Sequence, residues 1–176
     1  SLGSGVIMSS DGIIVTNFHV IKNAVQIKIL LHDGRESPAE IIDWDREIDL
    51  AILKVNLDDL KPISLGNPDS AKVGDIVLAI GNPKGIGQAV TQGIISAVGI
   101  NGLRLNSLEN FIQTDAAINE GSSGGALIDI YGNLLGINTL SLNGNGASGI
   151  GFAIPADEVK KVTSDIIKYG LSLIHI

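Results

Sequence analysis

A chain of 176 residues with 44% apolar composition is long enough for one sizeable domain, or for two small barrels sharing an interface. Its formal net charge is −7 with Lys and Arg scattered rather than striped, which argues against nucleic-acid binding, and no apolar run reaches the roughly 18 residues a membrane helix needs. Cys is absent, which excludes disulfides and thiol chemistry; His19, His32 and His175 lack the spacing of zinc ligands, so neither a metal nor a cofactor is expected.

Short apolar runs then follow one another with turn signals between them. Residues 5–8 and 13–16 flank Ser9-Ser10-Asp11-Gly12, a hairpin signal. Residues 25–31 alternate around Gln26 and Lys28 and run into His32-Asp33-Gly34-Arg35, a second hairpin turn. Residues 39–44 and 50–55 complete a first set of strands. The polar stretch 57–73, with Pro62 and Pro68, reads as a connector. A second set of strands is expected at 76–80, 89–98, 111–114, 126–130, 134–140 and 150–154. Pro155 opens a helix whose apolar face is Val159, Val162, Ile166 and Ile167, and Gly170 ends it.

Many short strands and one terminal helix predict an all-β fold, a pair of barrels or sandwiches. An α/β sheet would need helical patterns between the strands, and none is present. The division drawn is an N-terminal barrel over 1–60, a connector over 61–73, a C-terminal barrel over 74–154 and a helix over 155–170. Residues 171–176 read as an appended, non-native tail. The start at Ser1 reads as that of a fragment of a longer protein.

Three segments carry candidate chemistry. In Asn119-Glu120-Gly121-Ser122-Ser123-Gly124-Gly125, a serine lies in a glycine-rich turn of the kind that exposes a nucleophile and aims backbone N–H groups at a developing oxyanion. In Thr16-Asn17-Phe18-His19-Val20 a histidine follows an apolar strand and begins a short turn. In Asp49-Leu50-Ala51-Ile52-Leu53 an acid directly precedes an apolar strand, where its carboxylate could be buried beside an imidazole and orient it; Asp43 and Asp45 are close rivals. Each segment alone also reads as a plain turn or core feature. Together they give the chain order His, Asp, Ser, which belongs to chymotrypsin-type enzymes and not to subtilisin-type or α/β-hydrolase ones.

With these segments the chain resembles the HtrA/Deg family of serine proteases. Gly3-Ser4-Gly5-Val6-Ile7, Ala79-Ile80-Gly81-Asn82-Pro83, Gln113-Thr114-Asp115-Ala116-Ala117-Ile118-Asn119 and Gly149-Ile150-Gly151-Phe152-Ala153-Ile154-Pro155 are similar to that family's signatures, from Leu2 to about Gly170. Val90-Thr91-Gln92-Gly93-Ile94-Ile95-Ser96 is similar to its membrane-anchored stress-sensor branch. The resemblance implies a chymotrypsin-like fold of two six-stranded antiparallel barrels, here without the first strand of the first barrel, and with the family's PDZ domains outside this chain. It implies His19 as general base, Asp49 as its orienter, Ser123 as nucleophile, and the backbone N–H groups of Gly121 and Ser123 as oxyanion hole.

It further implies Ala117 and Ile118 at the base and wall of the S1 pocket, and Thr139, Leu140 and Ser141 as an edge strand for main-chain pairing with substrate. An apolar pocket cannot pair with a cation, so cleavage after small or medium aliphatic residues of unfolded or extended polypeptides is expected. Glu120 and Ser122 stand where the family usually has Pro and Asn. Glu120 reads as a solvated loop residue, and Ser122 cannot take the role that an Asp plays in trypsin-type zymogen activation, so switching by loops 101–110 and 143–149 is expected instead. The glycine-rich run 81–87 is not followed by the Gly-Lys-Ser/Thr of a phosphate loop. His32 and His175 are given no chemistry.

By the same resemblance the whole protein is expected to be a homotrimer working in protein quality control or envelope-stress sensing, periplasmic or anchored to the inner membrane by a segment outside this chain. The alternatives are a catalytically silent peptide-binding or chaperone module on the same fold, and a purely structural β domain.

Overall fold

A computed structural model describes residues 2–82, 87–101, 110–141 and 149–169. The first half forms a five-stranded antiparallel sheet in the order β1-β2-β5-β4-β3. Its strands are β1 (Val6–Ile7), β2 (Ile13–Asn17), β3 (Ile27–Leu30), β4 (Glu36–Asp45) and β5 (Leu50–Val55), with a one-turn helix α1 (Phe18–Ile21) after β2. The apolar runs of β2 and β5 are buried almost throughout, which places them at the centre, whereas β3 alternates between half-buried and exposed, as an edge strand does. The β2–β5 register pairs Val15 with Ile52 and Asn17 with Leu50. That register sets the residues that follow β2 beside those that precede β5.

Two local expectations change. Val25 is fully exposed, and β3 starts only at Ile27. Conversely, β4 begins at Glu36, ahead of Pro38. Pro38 pairs with Lys28 of β3, and pairing of β4 with β5 starts one residue later, at Ala39. The proline, which lacks an N–H, thus sits where the strand has a neighbour on one side only.

The second half closes into a six-stranded antiparallel barrel, in the order β10-β11-β8-β7-β6-β9. Its strands are β6 (Ile76–Gly81), β7 (Ala89–Ile100), β8 (Phe111–Thr114), β9 (Ala126–Asp129), β10 (Leu134–Ser141) and β11 (Gly151–Pro155). The first sheet, by contrast, is a curled half-barrel: among the described residues it has five strands and does not close. Pro155 proves to be the last residue of β11, paired with Gly136, and α2 (Ala156–Tyr169) starts just after it. Asp157 and Glu158 occupy the first turn of α2, where the helix dipole favours negative charge. The helix docks on β10 and β11 through buried Ala156, Val159 and Val162.

One apolar cluster runs through both halves, joining Val15, Leu50 and Ile52 to Phe111, Ile137, Phe152 and Val159. Phe111 and Phe152 meet edge to face at 6.1 Å. Burying each such side chain contributes about 1.5–3 kcal/mol, so the sheet and the barrel are held as one body and a cleft between them keeps its shape.

Candidate active site

The site starts from Asn17, the fully buried end of β2. Its side-chain amide donates to the Asp49 carbonyl at 3.0 Å, and the Phe18 N–H donates to the same oxygen at 3.1 Å. Phe18 also stacks on Trp44, with ring centroids 6.5 Å apart, which ties α1 to β4. Asp49 itself is left-handed, at φ +59°, a conformation that Asp tolerates better than most residues. Left-handed backbone at a non-glycine residue persists only where its surroundings over-determine it, and here they do.

The Asp49 carboxylate holds His19 twice. Its Oδ1 accepts the His19 backbone N–H at 2.9 Å, and its Oδ2 lies 2.7 Å from His19 Nδ1. A carboxylate against Nδ1 places the proton of a neutral imidazole there and leaves Nε2 as an acceptor. Thr139 Oγ1 donates to the same Oδ2 at 3.0 Å. It is Asp49 that faces His19; the rival Asp45 is occupied by the N–H groups of Glu47 and Ile48. The pair is accessible, with side-chain exposures of 49% for His19 and 17% for Asp49.

Ser123 lies in the tight turn before β9. Ser122 N–H donates to the Asn119 carbonyl at 2.9 Å, and Gly125 N–H to the Ser122 carbonyl at 3.0 Å. The turn runs through Gly121 at φ +92° and Gly124 at φ +84°. A Cβ on Gly124 would lie 2.2 Å from the Ser4 carbonyl oxygen and 2.3 Å from Thr16 Oγ1, so only glycine fits between the two halves. Ser123 Oγ donates to the Thr139 carbonyl at 2.8 Å. No hydrogen bond joins Ser123 to His19, but both line one cleft of about 220 Å3, with Ile118, Asn119, Glu120, Thr139, Leu140 and Ser141. The Gly121 and Ser123 N–H groups donate to no acceptor among the described residues.

The other expected residues divide. Ile118, 3% exposed, lines the cleft, as do Leu140 and Ser141. Ala117 is exposed and outside the cleft lining; its carbonyl accepts the Thr91 hydroxyl at 2.8 Å. Glu120 is an exposed residue of the cleft rim. Ser122 is buried, and a Cβ on Gly81 would lie 2.7 Å from its Cα. His32 is exposed in the β3–β4 turn. Most of the two loops expected to switch, much of the 81–87 run and the whole of 170–176 lie outside the described residues. Among the described residues no group of three or more His, Asp or Glu could hold a metal, and no helix is long and apolar enough to cross a membrane.

Sequence reasoning missed the parts that hold the site. The Thr139 hydroxyl, the Asn17 amide and Ser4 all act across distant segments, and a small polar residue in an apolar strand gives no sign of its partner. The one available signal was polarity where neighbours are buried, as at Asn17 and Thr139.

Residues 3–137 match the family model described as a trypsin-like peptidase domain. The chain is 50% identical over 173 residues to the periplasmic serine endoprotease DegP of Escherichia coli K12, covering 97% of this chain and 36% of that protein. It is 49% identical over 172 residues to the periplasmic pH-dependent serine endoprotease DegQ of the same strain, covering 96% and 38%. The chain therefore spans little more than a third of the length of these curated relatives. Among solved structures, the HtrA-type protease AlgW with a decapeptide superposes with a TM-score of 0.92 at 55% identity, over 97% of this chain and 53% of that one. A serine endoprotease from Yersinia pestis gives 0.84 at 49% identity, over 96% and 58%. The chain belongs to the trypsin-like peptidase family, and within it resembles the HtrA/Deg serine endoproteases.

Proposed function

We propose that this chain is the catalytic domain of a serine endopeptidase that cleaves through an acyl-enzyme. The observation that carries the reading is His19, held by Asp49 at 2.7 Å, opening on the same cleft as Ser123. Ser123 Oγ attacks the scissile carbonyl while His19 Nε2 takes its proton. The tetrahedral oxyanion is received by the N–H groups of Gly121 and Ser123. His19 returns the proton to the leaving amine, and water then repeats the sequence to free the acid. Asp49 keeps the imidazole in the tautomer and orientation this needs.

Substrate enters as an extended strand along Thr139, Leu140 and Ser141, with a small or medium aliphatic side chain against Ile118. Main-chain recognition tolerates many sequences but requires an unfolded or extended segment. Names of the relatives support a periplasmic setting, and we extend the reading to a quality-control or stress-sensing role for the whole protein, acting as a trimer. A second reading, a silent peptide-binding module, draws on the Ser123 hydroxyl being bonded to Thr139 instead of His19.

A fluorophosphonate probe separates the two. Covalent labelling of the chain that disappears in Ser123→Ala establishes an activated serine. A chain that binds extended peptide yet stays unlabelled would reverse the preference in favour of the binding module.

A further inference from the structure

We propose that Ser4 is a positioning residue for the oxyanion turn, the means by which the N-terminal half of the chain sets the geometry of that turn in the C-terminal half. The proposal rests on the reading of Ser123 as nucleophile. Every polar group of Ser4 is in use. Its N–H donates to the Ser123 carbonyl at 2.8 Å, and its carbonyl accepts the Thr16 hydroxyl at 2.7 Å. Its Oγ accepts the Asn82 N–H at 2.8 Å and donates to the Gly121 carbonyl at 2.7 Å. The polarity of the hydroxyl is therefore fixed: a backbone N–H only donates and a carbonyl only accepts, so the one hydroxyl hydrogen points at Gly121.

The two carbonyls that Ser4 grips are those of the residues whose N–H groups form the oxyanion hole. Between them lies the peptide that carries the Ser123 N–H. Gly121 sits at φ +92°, and a glycine leaves such a conformation at little steric cost. The turn thus contains its own freedom to misalign, and the Ser4 hydroxyl supplies a side-chain restraint on it. The serine is anchored in turn through Thr16, at the end of β2, and Asn82, just past β6. Ser4, two residues ahead of β1, so links the strand that leads to His19 with the turn that carries Ser123.

The test compares the parent chain, Ser4→Ala, Ser4→Thr and Ser123→Ala for kcat, KM, rate of fluorophosphonate labelling and thermal midpoint. Removing one oxyanion donor outright costs about 10²–10³ in kcat; a donor misplaced but present is expected to cost about 10–100-fold, with KM within about twofold. Labelling should slow in step with kcat, and Ser4→Thr, which keeps the hydroxyl, should recover most of the loss. The proposal is overturned if Ser4→Ala turns over and labels like the parent, or if its loss lies in KM alone. It is equally overturned if activity merely follows the folded fraction, or if Ser4→Thr is as slow as Ser4→Ala, which would assign the effect to packing. A parent chain that does not label removes the nucleophile reading and the Ser4 role together, whereas a reactive parent with an equally reactive Ser4→Ala removes only the latter.

Discussion

The Ser123 hydroxyl donates to the Thr139 carbonyl at 2.8 Å, and the same Thr139 gives its own hydroxyl hydrogen to Asp49 at 3.0 Å. A single strand residue therefore touches both the acid and the serine of the site. Its carbonyl belongs to the strand proposed to pair with substrate. On the proposed function, a substrate N–H arriving there would compete with Ser123 for the same oxygen, and the displaced hydroxyl would be free to turn towards His19 Nε2.

Thr139→Val tests the other end of this residue. Valine keeps the shape of a buried side chain and removes only the donor to Asp49. Losing a hydrogen bond to a carboxylate costs about 1.5–3 kcal/mol. If that loss falls on the orientation of His19, kcat should drop roughly 10–100-fold with KM little changed. Steady-state kinetics on a peptide with an aliphatic P1 residue reads this directly, and an unchanged kcat would leave Thr139 only a main-chain role.

Asp49→Asn isolates the charge. Asparagine tolerates left-handed backbone as aspartate does, so φ +59° should survive. An amide, however, can present its NH2 to His19 Nδ1 and stabilise the wrong tautomer. Replacing the triad aspartate by asparagine in chymotrypsin-type serine proteases lowers kcat about 10⁴-fold, and a loss of about three to four orders is expected here with a circular dichroism spectrum like the parent's. Asp49→Ala should lose activity and stability together, because alanine lacks the polar side chain that eases this conformation.

Much of this could be read in the sequence, for reasons particular to each element. The apolar runs of β2 and β5 announce central strands because they are buried along nearly their whole length. Asn119 to Gly125 announces a strained turn because glycines cluster around serines. The start of β4 was hidden because Pro38 speaks against a strand, and only the pairing on one side makes it tolerable. The joining of His19 to Asp49 depends on the β2–β5 register, and the hold of Ser4 on Gly121 on the docking of two halves. Both are tertiary facts that no local pattern encodes.

Gly124→Ala and Gly34→Ala form a matched pair for stability. Both glycines have positive φ, +84° and +88°. Alanine at Gly34 meets nothing within 4 Å, so it should cost only the roughly 1–2 kcal/mol of a left-handed alanine. At Gly124 the new methyl would sit 2.2 Å from the Ser4 carbonyl oxygen and must force the two halves apart. Its loss in denaturant unfolding should exceed that of Gly34→Ala by about 1–3 kcal/mol, with activity lost as well. Equal losses would show that the turn yields without disturbing Ser4.

Asp129, the last residue of β9, gives the fold a pH-dependent contribution remote from the cleft. Burial pushes its carboxyl up, but the Asn133 side-chain amide at 2.9 Å and the N–H groups of Asn133 and Tyr131, at 2.8 and 2.9 Å, outweigh it. The net effect holds the group below its ordinary value of 3.8. A carboxyl whose folded pKa is depressed contributes stability that is fully present above the unfolded pKa and is lost as pH falls through the folded one. Asp129→Asn removes that contribution at neutral pH, since an amide cannot accept from every donor of the turn. The thermal midpoints of parent and variant should therefore differ most above about pH 5 and converge as the pH is lowered below about 4. A gap that stays constant across that range would mean that the turn depends on the shape of the side chain and not on its charge.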